Sequence, residues 1–92
     1  MAQERPYQLR YSMEALKALK KMPRHEANRT RTAVERLREN PHRMDMDVRP
    51  LRGRAELRLR VGNRRVLLMR DDPARVIDVV AIGSRGDVYK RK

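Results

Sequence analysis

The stretch "ELRLRVGNRRVLLMR", residues 56–70, alternates apolar and basic side chains, pauses at Gly62-Asn63 and returns as a second apolar run. A period of two puts Leu57, Leu59 and Val61 on one face of a strand and Arg58 and Arg60 on the other. A helix would scatter those three apolar residues around its circumference, so the pattern demands a sheet with one buried face. Gly62-Asn63 is a tight-turn pair, and 64–70 is the return strand of a hairpin. "DDPA" (71–74) turns the chain again. "RVIDVVAI" (75–82) is apolar on nearly both parities, as a central strand would be. A weaker strand around "RPLRG" (49–53) pairs at an edge.

Ahead of this sheet the period changes. "YQLRY" (7–11) fits one short strand, and residues 1–6 read as a loose tail. Ser12 is a suitable N-cap with Glu14 in the first turn. Leu16, Leu19 and Met22 then recur at helical spacing until Pro23 ends the helix. A second helix fits 26–39, with Ala27, Thr30, Val34 and Leu37 along one face and "NPH" (40–42) stopping it. Two short amphipathic helices joined at a proline form an α-hairpin that covers the sheet. The expected fold is α+β: a small antiparallel, mixed-edge sheet of about four strands with the α-hairpin on one face, in the order β-α-α-β-β-β. It occupies one domain, 1–92, with a functional tail at 84–92.

Charge narrows the partners. The 92 residues hold 24 cations, 19 of them arginine, against 12 acids, for a net of +12. Residues 49–92 carry 13 cations and five acids. Arginine binds phosphate bidentately and stacks on bases, so a nucleic acid or a strongly acidic protein is the expected partner. Cysteine is absent, which removes disulfides, thiolate nucleophiles and Cys-based zinc sites. No apolar run approaches the roughly 20 residues of a membrane span, and "MAQERPYQ" lacks the apolar core of a signal peptide. The expectation is a soluble, cytoplasmic protein with no membrane partner. Asp45 with Asp47, and Asp71 with Asp72, read as turn and loop residues; no acids stand at metal-ligand spacing, and no metal or cofactor is expected. His25 and His42 read as surface residues beside the helices.

If Leu57, Leu59 and Val61 face the helices, Arg58 and Arg60 must face away from them. Arg65 on the return strand shares that open face. The end of strand 75–82 delivers Arg85 and then Tyr89 to one end of the sheet. Four cations and one phenol thereby converge on a concave surface with no helix over it. Alternating arginine equally fits the solvated side of a two-layer sheet, and parity alone does not choose between them.

"LRLRVGNRRVLL" followed by "AIGSRGDVYKR" resembles the bacterial RelE/ParE superfamily of type II toxins, whose corresponding strand runs close to Y-R-I-R-V-G-x-Y-R-V-I-Y and whose end runs G-x-R-x-x-V-Y. "YSMEALKALKKMP" fits its first strand and helix and "ERLRENP" its second helix, so the resemblance spans essentially 7–91. It implies the RelE-like microbial ribonuclease fold. The superfamily has a RelE-like branch that cleaves messenger RNA in the ribosomal decoding site and a ParE-like branch that inhibits DNA gyrase. In the nuclease branch, residues matching Arg58, Arg60, Arg65, Arg85 and Tyr89 surround the scissile phosphate, which favours that branch. The departures are lysines in RelE itself where this chain has Arg58 and Arg60, and Leu57, Arg64 and Leu68 at positions often aromatic.

The chemistry implied is metal-free: the 2′-hydroxyl attacks the adjacent phosphorus, leaving a 2′,3′-cyclic phosphate and a 5′-hydroxyl. Arginine stays protonated and serves as a clamp, so the resemblance implies transition-state contacts for Arg65 and Arg85 and phosphate or leaving-group contacts for Arg58 and Arg60. Cations beside Tyr89 favour its phenolate, which fits it as a general base or a stacking platform. Arg52, Arg54, Arg64, Lys90 and Arg91 are expected to contact flanking RNA. The partners implied are the ribosome and its message, a cognate antitoxin that wraps the toxin, and operator DNA only through the toxin–antitoxin complex. A ParE-like gyrase inhibitor without nuclease activity is the alternative.

Overall fold

In a computed structural model, which describes residues 6–84, the chain forms β1 (Gln8–Tyr11), α1 (Met13–Lys21), α2 (Arg24–Glu39), β2 (Val48–Pro50), β3 (Leu57–Val61), β4 (Arg64–Asp71) and β5 (Val76–Ser84). The fold is α+β with both helices between the first strand and the rest, as expected. The sheet has five strands rather than about four, because the weak edge segment is a real strand at β2. Their spatial order is β1-β5-β4-β3-β2. Every neighbouring pair is antiparallel except β1 with β5, which is parallel, so the sheet is mixed. A parallel pair needs a crossover, and the α1–α2 hairpin opens the long connection between them.

The first helix starts at the expected cap, whereas α2 begins at Arg24, two residues before the expected 26, with Pro23 at its N-cap position. Ser12 Oγ accepts the Ala15 N–H at 3.0 Å, capping α1. The same hydroxyl donates to the Val80 carbonyl at 2.6 Å, which ties the helix start to β5. Glu14 in the first turn and Lys20 and Lys21 in the last complement the helix dipole. Along α2, Ala27, Thr30, Val34 and Leu37 are all buried, the predicted stripe. Buried Thr30 is satisfied by donating its hydroxyl to the Glu26 carbonyl at 2.9 Å. On α1 the buried residues are Ala15 and Leu19, followed by buried Met22 just past its end, whereas Leu16 is 36% exposed. Ala15 and Leu16 both match the helical period, and the small alanine lets the helix sit close on the sheet.

Leu59, Val61, Val66, Leu68, Ile77, Val79 and Ile82 bury one sheet face against these helices. Leu67 and Ala81 point the other way and form a small cluster with Leu51 and Val80. Between these faces β5 carries a bulge: Leu67 pairs with Ala81 and Leu68 with Val79, so Val80 has no partner opposite. The extra residue shifts the alternation, which is why 75–82 reads as apolar on both parities.

At the far edge, the Tyr7 hydroxyl donates to Asp72 Oδ1 at 2.8 Å. That bond holds the Asp72 carboxyl below its usual range and raises the Tyr7 phenol. Arg75, in the left-handed region at φ 57°, stacks its guanidinium 4.7 Å from the Tyr7 ring centre. Among the described residues no helix is long and apolar enough to cross a membrane.

Candidate functional site

The β3–β4 hairpin turns on Gly62 and Asn63, with Val61 paired to Arg64 across it. Gly62 has φ +57° and Asn63 does not share the positive φ, the pattern of a two-residue II′ turn. A Cβ at Gly62 would stand 3.1 Å from the Arg29 guanidinium of α2, so the turn is also a close approach. This hairpin fixes the register on which the site depends.

On the face away from the helices the register produces rows. Arg60 lies opposite Arg65, and Gly83 follows Arg65 on β5, leaving backbone rather than a side chain beside it. In the next row Arg49, Arg58, Leu67 and Ala81 run across β2, β3, β4 and β5. Further along, Arg10 on β1 pairs with Asp78 on β5 through two hydrogen bonds, at 2.7 and 3.0 Å. Arg10 holds the Asp78 carboxyl below its usual range. The face therefore has a neutralised end at β1, an apolar middle, and a cationic end at the β2–β3–β4 side.

Three predicted site residues, Arg58, Arg60 and Arg65, share this face. Their environments differ. The Arg58 side chain is only 13% exposed and donates from Nη2 to Asp47 Oδ1 at 2.8 Å. Arg60 is 48% exposed and its Nε lies 3.6 Å from Asp47 Oδ2. Arg65 is half-buried and has no acidic partner among the described residues. Arg85 and Tyr89, with Lys90 and Arg91, lie outside the described residues, as does most of the 84–92 tail.

The flanking positions divide. Arg64, expected among the RNA contacts, is one residue out of phase with Arg65. It turns to the helical side, where its Nε and Nη2 donate to Glu26 Oε1 at 3.0 and 2.7 Å. Arg64 is thus placed as a tie between hairpin and α2, on the helical side and away from the open face. Arg52 is exposed in the β2–β3 connection, and Arg54 there pairs with Glu56 at 3.2 Å. His25 is exposed near the hairpin tip, and His42 is an exposed side chain 3.8 Å from Asp72. No group of three His, Asp or Glu suited to a metal occurs among the described residues.

Sequence reasoning missed Asp47. It appears in a loop before a three-residue strand, where no periodicity marks its direction, yet its carboxylate sits among Arg49, Arg58 and Arg60. An open groove of about 440 Å³ continues from Asp47 and Arg60 onto α2, lined there by Arg29 and Arg36. The basic surface therefore runs from the sheet round to the second helix.

The family model described as the ParE toxin of type II toxin-antitoxin system, parDE, matches residues 9–89. The fold is similar to a chain of the archaeal RelE–RelB complex from Pyrococcus horikoshii, with 25% identity and a TM-score of 0.77 over 90% of this chain and 99% of that one. It is similar to a chain of the RelBE2 toxin–antitoxin complex from Mycobacterium tuberculosis, with 26% identity and a TM-score of 0.70 over 89% and 94%. The isolated RelE toxin of E. coli shares the fold at 22% identity, with a TM-score of 0.71 over 90% of both chains. None of the curated proteins matches the sequence significantly.

Proposed function

We propose, from the premise that this chain belongs to the family of ParE toxins of type II toxin–antitoxin systems and so to the RelE/ParE superfamily, that it is an endoribonuclease cleaving messenger RNA on the ribosome. The observation that carries this reading is the treatment of charge on one sheet. Like charges directly opposite each other across strands are destabilising, and opposite charges stabilise. At the β1 end the sheet obeys that rule with Arg10 facing Asp78. At the hairpin end it places Arg60 directly opposite Arg65 with Arg58 alongside, and one carboxylate, Asp47, is shared between Arg58 and Arg60 while Arg65 has no acidic partner among the described residues. A merely solvated face gains nothing from that repulsion; a site for a phosphodiester does.

In the reaction proposed, the 2′-oxygen bonds to phosphorus while the P–O5′ bond breaks. One proton leaves the 2′-hydroxyl and one reaches the departing 5′-oxygen. Arg65, with Arg85, clamps the non-bridging oxygens as charge builds on them. Arg58 and Arg60 contact the phosphate or the leaving group, and Tyr89 takes the 2′-proton or stacks on a base. Exposed Arg52 holds flanking RNA with Lys90 and Arg91. Binding dominated by such contacts weakens steeply with salt.

A second reading, a ParE-like inhibitor of DNA gyrase, is favoured by the description of the matching family model. The two are separated by giving purified protein to ribosomes carrying a message and, in parallel, to gyrase with DNA. Cleavage leaving a cyclic or 3′-phosphate and a 5′-hydroxyl is the expected result. Intact message together with gyrase trapped on DNA transfers the assignment to the second reading.

The relatives from P. horikoshii and M. tuberculosis come from complexes with antitoxins. We propose the same arrangement here, in the cytoplasm, with an acidic antitoxin segment covering the Arg58, Arg60 and Arg65 face and operator DNA reached only through that complex. Wrapping segments that fold on binding give large interfaces. Co-expression with the adjoining reading frame and affinity capture should recover a small acidic protein, and its absence would count against the toxin–antitoxin pairing.

A further inference from the structure

The Asp47 carboxylate is the anion seated between Arg58 and Arg60, and it satisfies them incompletely. Its backbone is fixed, because the Arg60 N–H donates to the Asp47 carbonyl at 3.0 Å and locks the loop onto β3. Its side chain is divided among three cations: Oδ1 lies 2.8 Å from Arg58 Nη2 and 3.3 Å from Arg49 Nε, and Oδ2 lies 3.6 Å from Arg60 Nε. Guanidinium groups bind carboxylate or phosphate best side-on, through Nε and Nη2 together. Arg10 does this with Asp78, and Arg43 does it with Asp45 at 2.6 and 2.8 Å. Arg58 does not: its Nε is buried and makes no hydrogen bond among the described residues. A buried donor left unpaired costs free energy, and more so on a charged group.

We propose that Asp47 is a built-in competitor for the substrate phosphate, seated on Arg58 and Arg60 in the free protein and displaced when a phosphodiester binds. This deepens, and rests on, the reading of the open face as a phosphate site. Phosphate oxygens reach both Nε and Nη2 of Arg58, so the exchange satisfies the donor that Asp47 leaves empty. The displaced carboxylate keeps Arg49, two residues further on in β2, as its partner. The consequence is a toxin whose affinity for single phosphates is held down, so that loose RNA is retained poorly and a substrate with many contacts is favoured.

The test measures binding of a short 2′-O-methyl RNA oligonucleotide, which cannot be cleaved, by fluorescence anisotropy. Asp47→Asn removes the charge with little change of shape and should bind about tenfold more tightly, the scale of one hydrogen bond to a charged group. Asp45→Asn is the control: it removes the same charge two residues away, from a carboxylate engaged with Arg43, and should change affinity by less than about twofold. Adding Arg58→Ala to Asp47→Asn should erase the gain, since the two are coupled. Asp47→Ser serves the same comparison if the asparagine variant does not fold. Equal effects of the Asp47 and Asp45 changes, weaker binding by Asp47→Asn, or no binding by any form would overturn the inference. Tighter binding by Asp47→Asn with no message cleavage by the wild type would sink the proposed activity and leave the Asp47 competitor standing.

Discussion

Arg65→Ala is expected to reduce cleavage of ribosome-bound message by at least about 10²-fold, the cost of removing one donor aimed at developing charge. Growth arrest on expression should disappear with it. The melting temperature should stay within a few degrees, because Arg65 has no ion-pair partner among the described residues to lose and relief from Arg60 opposite offsets lost packing. Leu59→Ala gives the contrasting result. Leu59 is fully buried beneath α2, on the opposite face of β3 from Arg58 and Arg60. Truncating it should cost about 2–5 kcal/mol of stability, through lost transfer energy plus the cavity left behind. Thermal unfolding and single-turnover cleavage of the two variants check both halves. If Arg65→Ala unfolds the protein, the sheet does not present Arg65 on an open face.

What the sequence revealed, and what it hid, follows from the range of the interactions. Arg58, Arg60 and Arg65 could be placed on one face because a strand's period is two and the Gly62-Asn63 turn sets the register by itself. The same parity separates Arg64 from Arg65; expecting Arg64 beside the flanking RNA followed its charge and left out its phase on the strand. Asp47 was hidden for a different reason. A strand of three residues has too few alternations to reveal its phase, and only the backbone bond to Arg60 fixes where the carboxylate points. The parallel pairing of β1 with β5 joins Gln8 to Val76, across most of the chain, and no local pattern specifies it. The Val80 bulge was legible only as its effect, an apolar run on both parities. It also supplies the carbonyl that Ser12 binds, so one irregularity in β5 fixes where α1 begins.

The largest effect within the proposed chemistry is reserved for Tyr89, which follows β5 by five residues and was assigned from its match to the family's terminal motif. A phenol loses its proton near pH 10 in isolation, and neighbouring cations favour the phenolate. Tyr89→Phe keeps the ring, and with it any stacking on a base, while removing the oxygen proposed to accept the 2′-proton. Single-turnover cleavage should therefore fall by about 10²-fold or more, the usual scale for losing a general base. Affinity for the 2′-O-methyl oligonucleotide should be unchanged, because the phosphate contacts belong to arginine. Tyr89→Ala should lose further activity together with affinity, since the ring goes too. The residual rate of Tyr89→Phe should also lose its rise with pH, because the group whose deprotonation drives that rise is gone. Cleavage by Tyr89→Phe at the wild-type rate would leave the phenol with only a stacking or structural role. The base would then have to be sought elsewhere, and Asp47, once freed from Arg58 by the incoming phosphate, is the carboxylate among the described residues that already contacts Arg58 and Arg60.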